Sequence, residues 1–340
     1  MKRATVLTLI LVSWVSLVSF FGVALLIAVV FPTHTTNNLL NPPTRDQLYQ
    51  YALKIVNEDR RTHGVPPVLL GNDYSAQAHA DDMLNTKYYS HWNTEGVKPY
   101  VTYTKLGGRG YVSENIDHRY VTCSWATCST YFWDPFKVIN QSEYRMMYND
   151  SLSNWGHRDN IIDPDHTNVS FGVAYDTENI YFIEHFENNI INWQTMTLRG
   201  TQLHLVGQMP PGFTLGSISV YEDPDPRPLT GHELDNAVPY HHNPPHYDLG
   251  QAVGLILVQP TKGYYTECSP GKITWIFKIG EKICLDYTTY RNVSSTPGGI
   301  DIAVDVSKWM GPGLHTIYVF LKKPNGDYAV ATSVTLEYLR

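Results

Sequence analysis

At 340 residues the chain has room for about two domains, and its 43% hydrophobic and 17% charged content excludes global disorder. Its 25 basic and 32 acidic residues give a formal charge of -7. That balance offers no positive footprint for a phosphate backbone, so nucleic acid is excluded as the expected partner.

The first element is the uncharged, Leu/Val/Ile/Phe-rich stretch from Ala4 to Phe31, which is long enough to cross a hydrocarbon core of roughly 30 Å as a helix. Lys2 and Arg3 flank it on the N-terminal side. The positive-inside rule keeps that end in the cytoplasm and places the bulk of the chain outside, as a single-pass protein of the cell membrane. A cleaved signal peptide is the alternative, but its apolar region is usually shorter, about 7 to 15 residues, and ends at a small-x-small site. The Thr/Asn/Pro-rich run that follows reads as an extended linker. Residues 1–32 are therefore expected to be an anchor and 33–45 a spacer.

From Arg45, apolar residues at Leu48, Tyr51, Ala52, Ile55 and Val56 predict an amphipathic helix ending before Gly64. Tyr74 to Tyr88 predicts a second, with Ala76, Ala80, Met83 and Leu84 on one face. A third is expected within Phe132 to Asp150, then strands at Val169–Tyr175 and Asn179–Glu187. Helices followed by strands make residues 46–195 an α+β domain. Beyond it, short alternating runs at Thr201–Val206, Ser217–Tyr221, Gly254–Val258, Ile273–Phe277, Ile300–Val306 and His315–Leu321 predict strands. Pro324 to Asp327 reads as a hairpin turn into a last strand at Tyr328–Tyr338. Residues 196–340 are thus expected to form an all-β, immunoglobulin-like antiparallel sandwich. The His241, His242 and His246 patch sits among prolines and reads as a loop.

Four cysteines fall as two local pairs, Cys123 with Cys128 and Cys268 with Cys284. In an outside compartment such pairs are expected to be disulfides, and the spacing, without any CxxC, does not suit a structural zinc site. Sequons at Asn140, Asn149, Asn168 and Asn292 are compatible with the same location.

The segments Tyr89-Ser90-His91, Gly96, Ser113-Glu114-Asn115-Ile116, Gly156-His157-Arg158-Asp159-Asn160-Ile161 and Val169 to Ala174 occur in a fixed order. Together they resemble the motif string of the CAP superfamily, that of cysteine-rich secretory proteins, antigen 5 and pathogenesis-related proteins. The likeness is to its prokaryotic branch, which reads Y-F-S-H, G-E-N-I, G-H-R-x-N-I-L and G-V-G-x-A before a Y-x-T-Q-x-F strand. The resemblance implies an α-β-α sandwich and a cleft lined by two histidines and two acidic residues. His91, Glu114 and His157 match the motifs directly, and Asp150 is the expected occupant of the second acidic position. Two departures stand out. Ser113 replaces the usual Gly, and Glu184 and His185 fall where Gln and an apolar residue are usual; with Glu187 they add polar atoms of unassigned role.

Two imidazoles flanked by carboxylates suit a site for Zn or another divalent cation with His91 and His157 as ligands, or an acid/base pair with Glu114 and Asp150 as catalytic candidates. The carboxylates would equally serve behind the histidines, each holding a ring N–H, or the whole cluster would serve as a buried polar network pinning the fold. The expected function is a membrane-anchored protein presenting this cleft to a divalent metal, a small ligand or a surface protein. A hydrolase of envelope peptide, glycan or lipid, and a lipid or sterol carrier, are the alternatives. Trp92, Tyr100 and Trp155 lie beside the motif residues as candidate rim or core aromatics.

Overall fold

The computed structural model describes residues 42–122, 133–237, 250–258, 266–278, 281–309 and 311–338. The expected anchor, most of the expected linker, the Cys123 and Cys128 pair and the His241, His242 and His246 patch lie outside these. Among the described residues no helix is long and apolar enough to cross a membrane.

Helix α1 (Arg45–Thr62) starts at a capping box in which the Thr44 side chain and Gln47 bond each other's backbone N–H groups. It buries Leu48, Ala52 and Val56 of the predicted stripe, with Tyr51 and Ile55 half-buried beside them, and also Arg60. The Arg60 guanidinium is fully buried and donates to the carbonyls of Pro66, Ile161 and Asp163 at 2.8, 2.7 and 3.0 Å. A side chain that the helical pattern leaves charged thus pins α1 to distant chain. The short β1 (Leu69–Leu70) follows, then α2 (Ser75–Thr86), α3 (Pro99–Lys105) and β2 (Tyr111–Tyr120). Asp134 caps α4 (Pro135–Tyr148), which carries proline at its first turn, where the missing N–H costs nothing. A 3-10 turn at Ser151–Ser153 leads to α5 (Gly156–Ile161), β3 (Asn168–Tyr175) and β4 (Asn179–Asn188).

The four strands form one sheet in the order β1-β3-β4-β2, with β2 at an edge. Strand β4 is buried along nearly its whole length, so it reads as a continuous apolar run instead of an alternating one. Its residues divide by parity. Ile180, Phe182 and Phe186 pack with Val169, Phe171 and Val173 of β3 against α1, α4 and α5. Tyr181 and Ile183 pack with Ile116 against Ala76, Ala80 and Met83 of α2. Helices thus cover both faces, the α-β-α layering that the motif resemblance implied. Gly172 is required here, because a Cβ at that position would run into the Ala76 carbonyl of the helix above it.

The β-rich remainder comprises β5 (Asn192–Arg199), β6 (Gln202–Gln208), β7 (Thr214–Glu222), β8 (Gln251–Val258), β9 (Glu267–Ser269), β10 (Lys272–Lys278), β11 (Glu281–Tyr290), β12 (Gly299–Asp305), β13 (Gly313–Lys322) and β14 (Tyr328–Tyr338). They make a seven-stranded sheet, β14-β13-β7-β8-β11-β10-β9, and a three-stranded one, β12-β6-β5. One core joins the two sheets, with Leu203, Leu205, Ile300 and Ile302 from the smaller and Ile218, Val220, Ile317 and Val319 from the larger. The β13–β14 hairpin stands where the Pro324 to Asp327 turn predicts it. The all-antiparallel expectation fails at one place, since β11 pairs β8 in parallel. Cys268 and Cys284 are disulfide-bonded and tie β9 to β11.

An excursion between β7 and β8 carries helix α6 (Gly231–Ala237). Its Leu234 is fully buried in the core beneath α2, and Leu229 donates its N–H to the Thr94 carbonyl at 2.9 Å. Gly96, at φ +73°, lies so close to the Arg227 carbonyl that no side chain would fit. Strand β14 adds Ser333, whose Oγ accepts from the Val112 N–H at 3.2 Å. Tyr100 donates to the buried Asp223 at 2.5 Å. These contacts draw residues 44–340 into one compact unit.

Candidate functional site

The site is built on the edge strand β2 and its neighbour in the sheet, β4. Their register sets Glu114 directly opposite His185 and Asn115 opposite Glu184, and cross-strand partners on one face lie close enough to bond. Because successive side chains point to opposite faces, Glu114 and His185 meet under α2, while Asn115 and Glu184 meet under α4 and α5.

Glu114 is fully buried and receives three histidines. His91 Nδ1 lies 2.7 Å from Oε1, while His79 Nδ1 and His185 Nε2 lie 2.6 and 2.8 Å from Oε2. Burial works to raise its pKa, but the neighbouring His79 and the bonds from His185, His79 and His91 hold it well below the usual carboxylate value. His185 is engaged at both nitrogens, since its Nδ1 lies 3.1 Å from Asp73 Oδ2 and 2.8 Å from Ser75 Oγ. Burial acts to lower its pKa and is overcome by the bonds to Asp73 and Glu114, which bring it to about 9. His185 is therefore an imidazolium at neutral pH, the buried cation that balances Glu114. For His91, burial prevails over the Glu114 bond and charge, and His157 and His79 add to it, so its pKa is lowered and the ring is neutral.

On the other side of β2, His157 stands at the start of α5. Asp150 Oδ1 accepts from its Nδ1 at 2.7 Å, and Asp150 Oδ2 accepts from the backbone N–H groups of His157 and Arg158 at 2.9 and 3.2 Å. This carboxylate caps a helix end and orients the imidazole together. Burial works to raise the Asp150 pKa, and the His157 bond outweighs it to give a lowered value. Asn115 donates to the His157 carbonyl at 3.2 Å and to Glu184 at 3.1 Å. Asn160 in turn donates to Asn115 at 3.0 Å and accepts from Ser113 at 2.7 Å, which gives the serine at the usual glycine position a partner.

All four sequence-predicted residues therefore fall into two pairs, His91 with Glu114 and His157 with Asp150. In both the carboxylate binds Nδ1. A carboxylate only accepts, so each Nδ1 carries the proton and the lone pair of the neutral ring lies on Nε2. Among the described residues no group of three or more His, Cys, Asp or Glu side chains is arranged to hold a metal ion. In each pair the carboxylate stands behind its imidazole.

The residues not assigned from sequence also find places. Glu187 accepts from Ser170 and Tyr103 at 2.8 and 3.0 Å and so secures α3. Glu184 faces Glu143 of α4, both fully buried. As two carboxylates they have no donor between them, and both Glu143 oxygens and Glu184 Oε1 lack partners; one shared proton supplies the missing bond. Burial, then the Glu184 charge, raises the Glu143 pKa well above its ordinary value, and burial also raises that of Glu184. His79 and Asp73 belong to the network and sequence reasoning missed them. The available signal was a histidine set inside the Ala76, Ala80, Met83 stripe. Tyr100 is core, not rim; Trp155 is partly exposed, with the Arg158 guanidinium 5.4 Å from its ring. Ser75, His185 and Asp73 superficially suggest a nucleophile, yet Ser75 is fully buried and a protonated imidazole cannot act as its base.

Residues 53–186 match the family model described as CAP: Cysteine-rich secretory protein family. This stretch is a CAP domain. A solved structure described as the CAP domain of Enterococcal PrgA is similar at 15% identity, over 42% of this chain and 62% of that chain, with a TM-score of 0.28. No curated protein sequence matches the chain. The CAP domain's edge strand carries Glu114, and α6 from the β-rich part packs its Leu234 into the core beneath α2.

Proposed function

We propose that this protein is an extracytoplasmic, membrane-anchored CAP-domain protein whose His91 and His157 bind a divalent cation or a small ligand, with the β-rich part acting as an immunoglobulin-like spacer or adhesion module. The observation that supports the reading is the carboxylate on each Nδ1, which fixes both histidines in the tautomer suited to coordination through Nε2. The fit to a metal is that of a weak, open site: two nitrogens from the protein, with the remaining positions left to water or ligand. A bound cation would supply a Lewis acid to a ligand oxygen. The chain's own contribution is to hold the rings oriented.

Hydrolysis is the weaker reading. Both Glu114 and Asp150 hold histidine N–H groups, and their lowered pKa values make them poor proton carriers at neutral pH. Calorimetric titration of the full-length protein with Zn(II) is expected to show binding that a His91→Ala/His157→Ala double variant abolishes. Binding unchanged in that variant would remove the metal from the proposal.

A further inference from the structure

Beyond Glu114, strand β2 continues for five residues to Arg119, a distance of about 17 Å at the usual rise per residue. There an open groove of about 320 Å³ is lined by Arg119, Asn140, Gln141, Tyr144 and Arg145. At its base the carboxylate of Asp117, only 5% exposed, accepts from Arg145 Nη2, from Arg119 Nε at 3.2 Å and from Ser142 Oγ at 2.5 Å. One negative charge thus meets two guanidiniums, leaving one positive charge over. The Arg145 Nε is buried and has no hydrogen-bond partner. Burial lowers the pKa of both arginines, as expected for cations not fully compensated in a partly dry setting.

We propose that this groove is a second binding site, separate from the histidine pair, that takes a small ligand through an oxyanion, a carboxylate or a phosphate. The orphaned Nε–H and the surplus charge are what an oxyanion would satisfy, because guanidinium donors match planar or tetrahedral oxygen groups. The guanidinium side chains are 29% and 41% exposed, so they remain within reach of a ligand while Asp117 fixes their positions. Tyr144, 61% exposed on the adjoining turn of α4, offers a ring wall, and the Asn140 and Gln141 amides offer donors and acceptors for hydroxyl groups. If the arginines served only to neutralise Asp117, one would suffice.

The test is calorimetric titration of the full-length protein at low salt with inorganic phosphate and, separately, with glucuronate. Saturable binding of at least one anion is expected, weakened about tenfold or more by Arg145→Gln or Arg119→Gln. Tyr144→Ala leaves the Asp117 cluster intact and should weaken glucuronate alone, by a few fold. Thermal unfolding of each variant identifies any that fails to fold. His91→Ala/His157→Ala should bind both anions as the wild type does. Preference for phosphate or for glucuronate identifies the oxyanion. Binding of neither anion, binding indifferent to both arginines, or binding lost in the histidine variant would overturn the proposal, and the last result would leave the histidine site standing.

Discussion

Glu114 Oε2 and His185 Nε2 lie 2.8 Å apart across the β2–β4 ladder, both sealed from solvent. The pair makes stability depend on pH in a definite direction. His185 is raised from its ordinary value to about 9, so its contribution is fully present below about pH 6.5 and is lost as pH rises through about 9. Urea denaturation at pH 6.5 and 9.5 should show a lower midpoint at the higher pH. Glu114→Gln removes the charge on which the imidazolium depends, and is expected to cost about 3 kcal/mol at neutral pH and to move the alkaline loss toward neutrality. An unchanged wild-type midpoint between the two pH values would contradict the charged pair.

Asp150 serves both the His157 ring and the first amides of α5. Asp150→Ala should therefore destabilise by about 1 to 2 kcal/mol, as loss of a capping carboxylate does, and should also weaken any ligand held by His157. Asp150→Asn retains an acceptor and is expected to recover most of the stability. Chemical denaturation of the two variants side by side separates the roles.

The Glu143 and Glu184 pair runs opposite to the usual acidic case. A carboxyl with a raised pKa binds more protons folded than unfolded, so stability falls as pH rises from about 4.5 toward the raised value. Glu143→Gln supplies a permanent donor to Glu184 without a second charge. The variant is expected to be at least as stable as the wild type at pH 7, and less stable relative to it at pH 4. A large loss at pH 7 would mean that no proton is shared.

Asp223 links the CAP domain to the β-rich part, accepting from Tyr100 and Thr316 at 2.5 Å each. Asp223→Ala strands two buried hydroxyls and should cost about 2 to 4 kcal/mol in total. Because contacts of this kind bind residues 44–340 together, calorimetry is expected to show one principal unfolding transition for them, shifted to lower temperature in the variant. Two separated transitions would show that the parts unfold independently.

Much of this was legible in the residues. The apolar stripes of α1 and α2 fall where the spacing puts them, because a 3.6-residue period survives any tertiary context that buries one face. The motif order located His91, Glu114 and His157, and Asp150 followed from the resemblance, as the acidic residue shortly before the second histidine. Strands β1, β2, β5, β9 and β11 and helices α3 and α6 were not foreseen. Strand β5 is half exposed and mixed in composition, and α6 is a short polar helix with one buried leucine, started by a capping box between Thr230 and Glu233.

The sequence by itself determined the CAP domain, three of its helices and its last two strands, the β-rich C-terminal part and the four residues of two His/acid pairs, since periodicity and local motifs are carried by neighbours in the chain. Only the tertiary structure decided that Glu114 gathers three histidines, that His185 is a buried cation and that Glu143 and Glu184 share a proton. Those properties depend on strand register and burial. Register brings together residues as far apart as Asp73, Glu114 and His185, and burial decides which of them can hold a charge.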